Sequence, residues 1–404
     1  LEIGTIGDAG SRSGTVMLRV DFNSPIDPSS QFILDDKRFR EHLPTVQALE
    51  DTKLVVLTHQ SRPGKKDFTT LEAHAEKLER LAGRAVTYVD DIFGPAARET
   101  IRNMKRGDIV MLENLRFNAE ENLTLKPEEA KKTILVRKLA GMADWYVNDA
   151  FGTAHRSQPS IVGLPLAVKT VAGLLMEREV ASLSRVFTGA PRPVTFVLGG
   201  TKVDDSVAVA ENVLSNGIAD RVVVTGVVAN IFLMAQGYDI GRPSTQLIEQ
   251  LKYCGEVARA RQLLAAYPES ILVPEMVAVR ENDAREEYPV DAIPADAPVL
   301  DLGADSAATL AARIRESGTV VLNGPAGLFE EEAFAAGTFE IVRAASTVEF
   351  SVVGGGHTAV AIEKLDLENA FTHISTGGGA CIEFLTGKKL PAIRAMEMSR
   401  EIFG

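Results

Sequence analysis

Three glycine-rich stretches late in the chain carry residue types suited to phosphate chemistry. They are Asn323-Gly324-Pro325-Ala326-Gly327-Leu328-Phe329-Glu330, Gly354-Gly355-Gly356-His357-Thr358 and Ser375-Thr376-Gly377-Gly378-Gly379. Each follows or ends an apolar, strand-like run such as Val320-Val321-Leu322, and two of them open an amphipathic helical stretch. Glycine lets a backbone turn at positive φ and approach a ligand closely. A helix N-terminus presents N–H groups without intrahelical partners and carries partial positive charge. Together these bind anions, phosphate above all. A lone glycine cluster is more often only a turn. Three in succession, spaced roughly one supersecondary unit apart, point to the phosphates of a nucleotide.

The first half of the chain carries a different constellation. Arg19, Asp21 and Asn23 alternate along a strand leading into a loop, so all three are expected to face one way. Arg38 opens a helix after Asp35-Asp36. His59 and Arg62 lie just past an apolar run, in Thr58-His59-Gln60-Ser61-Arg62-Pro63. Arg116 follows the next run, in Leu112-Glu113-Asn114-Leu115-Arg116-Phe117, and Arg156 ends Asn148-Asp149-Ala150-Phe151-Gly152-Thr153-Ala154-His155-Arg156. In open α/β sheets, ligands bind beyond the carboxyl ends of the strands. A single arginine is usually a surface solubiliser or an ion-pair partner. Several at one sheet edge argue for a small ligand with several negative charges, which guanidinium forks grip bidentately. Asp21 and Asn23 can bond a hydroxyl on that ligand.

Alternating strand-like and helical segments must position these groups. The runs are 15–20, 53–58, 108–112 and 145–148, then 194–198, 221–225, 319–323 and 349–353. They are rich in Val, Ile and Leu without polar alternation, which predicts sheets covered on both faces. Alternation of β and α predicts parallel, doubly wound domains. A chain of 404 residues has room for about two or three of them. A boundary is expected near residues 159–165. Residues 167–187 then read as one long amphipathic helix joining two α/β halves, from the near-helical spacing of Val168, Val171, Leu174, Leu175, Val180, Leu183 and Val186.

Composition narrows the partners. Hydrophobic residues make up 45% and charged residues 24%, an ordinary globular balance. No apolar run reaches the ~20 residues of a membrane span. The sequence begins at Leu1 without a signal-peptide pattern. Cys254 and Cys381 lack metal-ligand spacing and are too few for a disulfide framework, which fits a reducing cytoplasm. A net charge of −12 argues against nucleic acid and requires any phosphate site to concentrate positive charge locally. No Gly-x-Gly-x-x-Gly unit with an acidic residue about twenty positions on is present, which counts against a nicotinamide oxidoreductase. The Gly-x-x-x-x-Gly-Lys-Ser/Thr motif of P-loop kinases is absent too.

The chain resembles the phosphoglycerate kinase family. The resemblance rests on Arg19-Val20-Asp21-Phe22-Asn23-Ser24-Pro25, His59-Gln60-Ser61-Arg62-Pro63, Glu113-Asn114-Leu115-Arg116-Phe117, Asn148 to Arg156, Leu198-Gly199-Gly200-Thr201-Lys202-Val203 and all three glycine-rich stretches, in family order over nearly the whole chain. It implies two doubly wound parallel-sheet domains joined by a helical hinge. The first would span 1–166 and bind 3-phosphoglycerate, with 392–404 packing back on it; the second, 167–391, would bind the nucleotide and include the hinge helix. It implies a cytoplasmic glycolytic and gluconeogenic enzyme that transfers the ATP γ-phosphoryl reversibly to the carboxylate of 3-phosphoglycerate, giving 1,3-bisphosphoglycerate and ADP, with Mg2+. The implied substrate residues are Asp21, Asn23, Arg38, His59, Arg62, Arg116 and Arg156. The implied nucleotide residues are Lys202, Asn323, Glu330, Gly354, Gly355, Gly356, His357 and Thr358, with Gly377, Gly378 and Gly379 completing a phosphate cradle. Arg38 and Lys202 would act on the moving phosphoryl. An inactive homologue would be expected to lose Arg38, Lys202 or Glu330, and all three are present. Neither nucleic acid nor membrane is implied as a partner, and monomer and homodimer both stay open.

The sequence departs from the family pattern in places. Ser206 stands where many members carry a lysine, His357 where an aspartate is common, and Leu322 where a tryptophan is usual. Thr225-Gly226-Val227-Val228 has one glycine fewer than the usual adenine pocket. The first two departures resemble the archaeal branch. A neutral imidazole at His357 cannot replace a carboxylate on Mg2+, which prefers oxygen. The ligand set of the metal is therefore left open between Asp204 or Asp205 and water with phosphate oxygens alone.

Overall fold

The computed structural model describes residues 3–7 and 14–404; the Leu1 start lies outside them. Contacts divide the chain into two compact units. The first holds residues up to Ala181 together with Lys389–Gly404, and the second holds Ser182–Lys388. Each is an α/β unit on a six-stranded sheet.

The first sheet consists of β1 (Thr15–Arg19), β2 (Lys53–Leu57), β3 (Val86–Val89), β4 (Ile109–Leu112), β5 (Trp145–Asn148) and β6 (Thr170–Ala172). Its order is β3-β4-β2-β1-β5-β6, and all pairings are parallel. The apolar runs explain the layering. Val16 and Leu18 of β1, Leu54 and Val56 of β2, and Ile109 and Met111 of β4 join one buried cluster. Their alternates Met17, Val55, Leu57, Val110 and Leu112 join another. Successive residues of a strand point to opposite faces, so a strand apolar throughout buries both. Strand order reverses at β1, which has β2 on one side and β5 on the other. A crevice at such a switch point is where ligands bind.

Residues 159–187 differ from expectation. Ile161, Val162 and Leu164, at the place of the expected boundary, are buried inside the first unit, and the division falls at Ala181. The single long helix is instead a short helix Leu164–Ala167, strand β6 and a helix Leu174–Thr188. β-Branched Thr170 and Val171 suit a strand, and they pair with Tyr146 and Val147 of β5. Gly173 then turns the chain so closely over Asp149 that a Cβ there would lie 2.6 Å from the Asp149 Cβ. The C-terminal helix Pro391–Phe403 packs on this region. Ala392 N–H donates to Ala154 O at 3.0 Å, and Thr170 N–H donates to Ser399 Oγ at 3.1 Å.

The second sheet consists of β7 (Val194–Leu198), β8 (Arg221–Val224), β9 (Ile271–Leu272), β13 (Thr319–Asn323), β14 (Phe350–Gly354) and β15 (His373–Ile374). It is again parallel throughout, in the order β15-β14-β13-β7-β8-β9. A small antiparallel sheet, β11-β10-β12, is inserted between β9 and β13 in the chain: β10 is Met276–Glu281, β11 Ala284–Pro289 and β12 Val299–Leu302. The sequence reading did not anticipate it. Asn282 and Asp283 both take positive φ, 49° and 60°, which suits a two-residue hairpin turn. β11 is charged because much of it faces solvent.

Candidate active site

The cationic crevice of the first unit is built on loops that leave the carboxyl ends of β1, β2, β4 and β5. Asp21 is almost fully buried and accepts an ion pair from Arg38, which projects from the first turn of the helix Lys37–Ala48. Burial alone would raise the Asp21 carboxyl, but Arg38 and Arg19 beside it hold it well below the usual carboxylate range. Asn23 Oδ1 accepts from Ser61 N–H at 2.7 Å, tying the β1 loop to the β2 loop. Asn114 ties β4 to the same loop: its Oδ1 accepts from Gln60 and Arg116 N–H at 3.3 and 3.1 Å, and its Nδ2 donates to Gln60 O at 3.0 Å. These bonds fix the places of His59, Arg62 and Arg116.

Arg19 does not share the outlook of Asp21 and Asn23. β1 ends at Arg19, so strand alternation stops there. The guanidinium is fully buried; Nη2 lies 3.2 Å from His59 Nδ1, and Nε donates to Ser160 Oγ at 3.2 Å. Ser160 Oγ in turn donates to the buried Glu121 at 2.5 Å. Neither Glu121 nor Ser160 was singled out in the sequence, since their meaning depends on a partner far along the chain. Burial, then Arg19, keep His59 well below its ordinary value, so it is neutral. Arg116 donates to Ser61 O, and burial followed by the field of Arg156 and Arg19 lowers it to about 10. Arg62 and Arg156 are exposed at the mouth. Five arginines and one neutral histidine thus share a crevice whose carboxylates, Asp21 and Glu121, are already engaged. In a chain of net charge −12, such a local concentration of positive charge favours an anionic ligand.

The glycine loops of the second unit meet at one level of their sheet. Asn323 is in register with Leu198 on one side and Gly354 on the other, so β7, β13 and β14 end together. The loops then bond backbone to backbone. Gly199 N–H donates to Asn323 O at 2.8 Å, Gly200 N–H to Pro325 O at 2.8 Å, and Gly226 N–H to Ala326 O at 3.1 Å. Gly226 has φ +57°, and a Cβ on it would lie 2.9 Å from both Gly200 N and Pro325 O. Only glycine permits that approach. Thr358 Oγ1 accepts from Gly324 N–H at 2.8 Å and so joins the first loop to the second. Gly355 and Gly378 sit at the N-caps of the helices Gly356–Glu363 and Gly379–Leu385, and neither helix has a side-chain cap there. Asn323 Oδ1 is buried without a hydrogen-bond partner. Lys202 is exposed at the N-cap of the helix Val203–Ser215.

Beside these loops lies a cavity of about 300 Å3, mostly apolar, lined by Gly200, Gly226, Asn230, Leu300, Glu330 and His357 among others. Glu330 and His357 are exposed at its rim. Sequence reasoning missed Asn230. The available signal was one amide inside the apolar run Val228-Ala229-Asn230-Ile231-Phe232-Leu233. Among the described residues, no group of three or more His, Cys, Asp or Glu is arranged to hold a metal ion.

A phosphoglycerate kinase family model matches residues 6–388. The chain belongs to the phosphoglycerate kinase family. It is 65% identical over 404 residues to a phosphoglycerate kinase of Methanocorpusculum labreanum, with 100% of both chains covered. The crystal structure of phosphoglycerate kinase from Pyrococcus horikoshii superposes with a TM-score of 0.91 at 40% identity, covering 99% of this chain and 100% of that one. The structure of the Coxiella burnetii phosphoglycerate kinase gives 0.84 at 32%, covering 98% and 99%. Family membership carries the reaction: ATP-dependent phosphorylation of 3-phosphoglycerate. The kinship supports the archaeal branch suggested by Ser206 and His357. Ser206 is fully buried in the helix Val203–Ser215, and Leu322, at the usual tryptophan's place, is part of the apolar core. No helix among the described residues is long and apolar enough to cross a membrane.

Proposed function

We propose that the cationic crevice of the first unit binds 3-phosphoglycerate and that the glycine loops and cavity of the second bind MgATP or MgADP. Arg62, Arg116 and Arg156 hold the substrate phosphate through bidentate contacts. Asp21, Asn23 and His59 receive the hydroxyl end. The attacking carboxylate is ionised near neutral pH and needs no general base. Phosphoryl transfer depends on positioning and on stabilising charge spread over the moving group. Arg38 and Lys202 supply that charge. N–H groups at Gly354–Gly356 and Gly377–Gly379 complete an anion cradle, with Asn323, His357 and Thr358 at its edge. Glu330 accepts from the ribose hydroxyls. Transfer to carboxylate rather than water requires the two ligands to be brought in line with water excluded.

For the Mg2+ that accompanies the nucleotide, the chain offers Asp204 or Asp205, beside phosphate oxygens and water. Burial raises the Asp205 carboxyl, with Asp204 adding to it and Lys202 and Lys388 opposing it. One carboxylate plus phosphate oxygens is an ordinary Mg2+ arrangement, and when bound the ion neutralises phosphate charge. The reading is of a cytoplasmic enzyme.

The observation that carries this assignment is the cluster of Arg19, His59, Arg116 and Arg156, in which Arg19 and Arg156 lie close enough to help burial disfavour protonation of His59 and Arg116. The test is a coupled assay of ATP-dependent 1,3-bisphosphoglycerate formation on the wild type and on Arg116→Ala and Lys202→Ala. The arginine variant should raise the KM for 3-phosphoglycerate and leave that for ATP, while the lysine variant should lower kcat. Equal effects of Arg116→Ala on both substrates would refute the division of labour.

A further inference from the structure

Asn230 is 3% exposed, and its surroundings on the helix Gly226–Gln236 are Val228, Ala229, Ile231 and Phe232, all buried. It lines the cavity beside the glycine loops. Among the described residues no partner binds its carboxamide, yet neither carboxamide atom is sealed from the cavity. The neighbouring wall is apolar, from Leu247, Val277, Val299 and Leu300. An amide set without a partner into such a wall weakens the fold and adds nothing to helix packing. The few polar groups placed in an otherwise apolar pocket are those that orient its ligand.

We infer that Asn230 reads the C6 substituent of the purine base. This rests on the assignment of the cavity to the nucleotide. A carboxamide carries an acceptor and a donor side by side, the pattern that matches the edge of adenine. With no protein group fixing it, the side chain can turn to offer Oδ1 to a 6-amino group or Nδ2 to a 6-oxo group. The pocket therefore accepts ATP and inosine triphosphate alike, and discriminates against a purine triphosphate with hydrogen at C6.

The test compares these three nucleotides as donors at saturating 3-phosphoglycerate in the full-length wild type, Asn230→Leu and Asn230→Asp. In the wild type, the C6-unsubstituted nucleotide should show a KM about tenfold above that of ATP. Asn230→Leu should abolish that ratio by raising the KM for ATP. Asn230→Asp presents only acceptors, so it should keep ATP and lose inosine triphosphate. A wild type indifferent to C6, or an Asn230→Leu enzyme with the wild-type ratio, overturns the inference, and the wild-type and Asp measurements stand even where the Leu variant does not fold. Leu300→Trp, which fills the cavity, separates the two levels. If it raises the KM of all three nucleotides, the cavity takes the base whatever Asn230 does. If it changes none, the base-pocket assignment fails as well.

Discussion

His42 Nδ1 lies 2.8 Å from Asp149 Oδ2, and both side chains are buried. The other ring nitrogen, Nε2, accepts from the backbone N–H of Asp21 at 3.1 Å. An acceptor at Nε2 leaves the proton on Nδ1, which donates to the carboxylate. Asp149 Oδ1 meanwhile accepts from Leu175 and Met176 N–H at 2.9 and 3.1 Å, in the first turn of the helix Leu174–Thr188. That helix continues past Ala181, where the first unit ends. One imidazole thus ties the loop that carries Asp21 to the start of the helix leaving the unit.

His42→Ala breaks both bonds and strands two buried groups, the Asp21 N–H and one oxygen of Asp149. Each stranded group costs about 1–3 kcal/mol, so the variant should lose roughly 2–6 kcal/mol of stability. Denaturant unfolding measures it, and an unshifted midpoint would show that neither bond matters. His42→Leu should cost no less than His42→Ala, because the stranded polar groups dominate rather than the lost volume.

The Arg38–Asp21 pair makes a kinetic prediction. The Arg38 side chain is 40% exposed, so it can leave Asp21 for a phosphoryl group. A charge-assisted contact contributes about 1.5–3 kcal/mol, so Arg38→Ala should lower kcat by more than roughly tenfold. Binding of 3-phosphoglycerate should weaken only moderately, since Arg62, Arg116 and Arg156 are assigned to its phosphate. A rise in KM with kcat intact would place Arg38 in ground-state binding instead.

His74 predicts a pH dependence of stability. Burial lowers it from 6.5 to about 4, and its Nε2 lies 3.1 Å from Gln60 Oε1. Between those two values the unfolded chain binds a proton that the folded chain refuses, so stability falls as pH falls from 6.5 towards 4. The loss attributable to this residue is on the order of 3 kcal/mol over that window. His74→Gln should flatten the slope of unfolding free energy against pH there. The same slope in the variant would assign the acid sensitivity to other groups, His59 first among them, since burial lowers it too.

The parts legible in the sequence were those where burial is written in consecutive residues. Val16-Met17-Leu18 and Leu54-Val55-Val56-Leu57 are apolar at every position because the sheet is covered on both faces. β6 was misread because Val168, Val171, Leu174 and Leu175 fit helical spacing, and only the pairing of Thr170 and Val171 with β5 decides for a strand. β11 was missed because Arg285, Glu286 and Glu287 look like loop or helix until the Asn282-Asp283 turn folds them onto β10. In the site, the arginines and glycines were found through their shared position after strands. His42 and Asp149 are 107 residues apart, and nothing local to either announces the other.

Ser206 puts the charge balance of the phosphoryl site to the test. If the lysine common at this position were simply missing, restoring it with Ser206→Lys should raise kcat. The surroundings argue otherwise. Ser206 is fully buried, and its Oγ has no partner, so a lysine there must bury its ammonium or push the first turns of the helix Val203–Ser215 aside. Lys202 and Lys388 both already act on Asp205, one position away. A third cation beside them would be repelled and desolvated at once. Ser206→Lys should therefore leave kcat unchanged or lower it, and lower the melting temperature. If Lys388 supplies the charge that the absent lysine would carry, Lys388→Ala should raise the KM for MgATP. A clear rate gain for Ser206→Lys at saturating MgATP, with Lys388→Ala silent, would show instead that the site is short of positive charge.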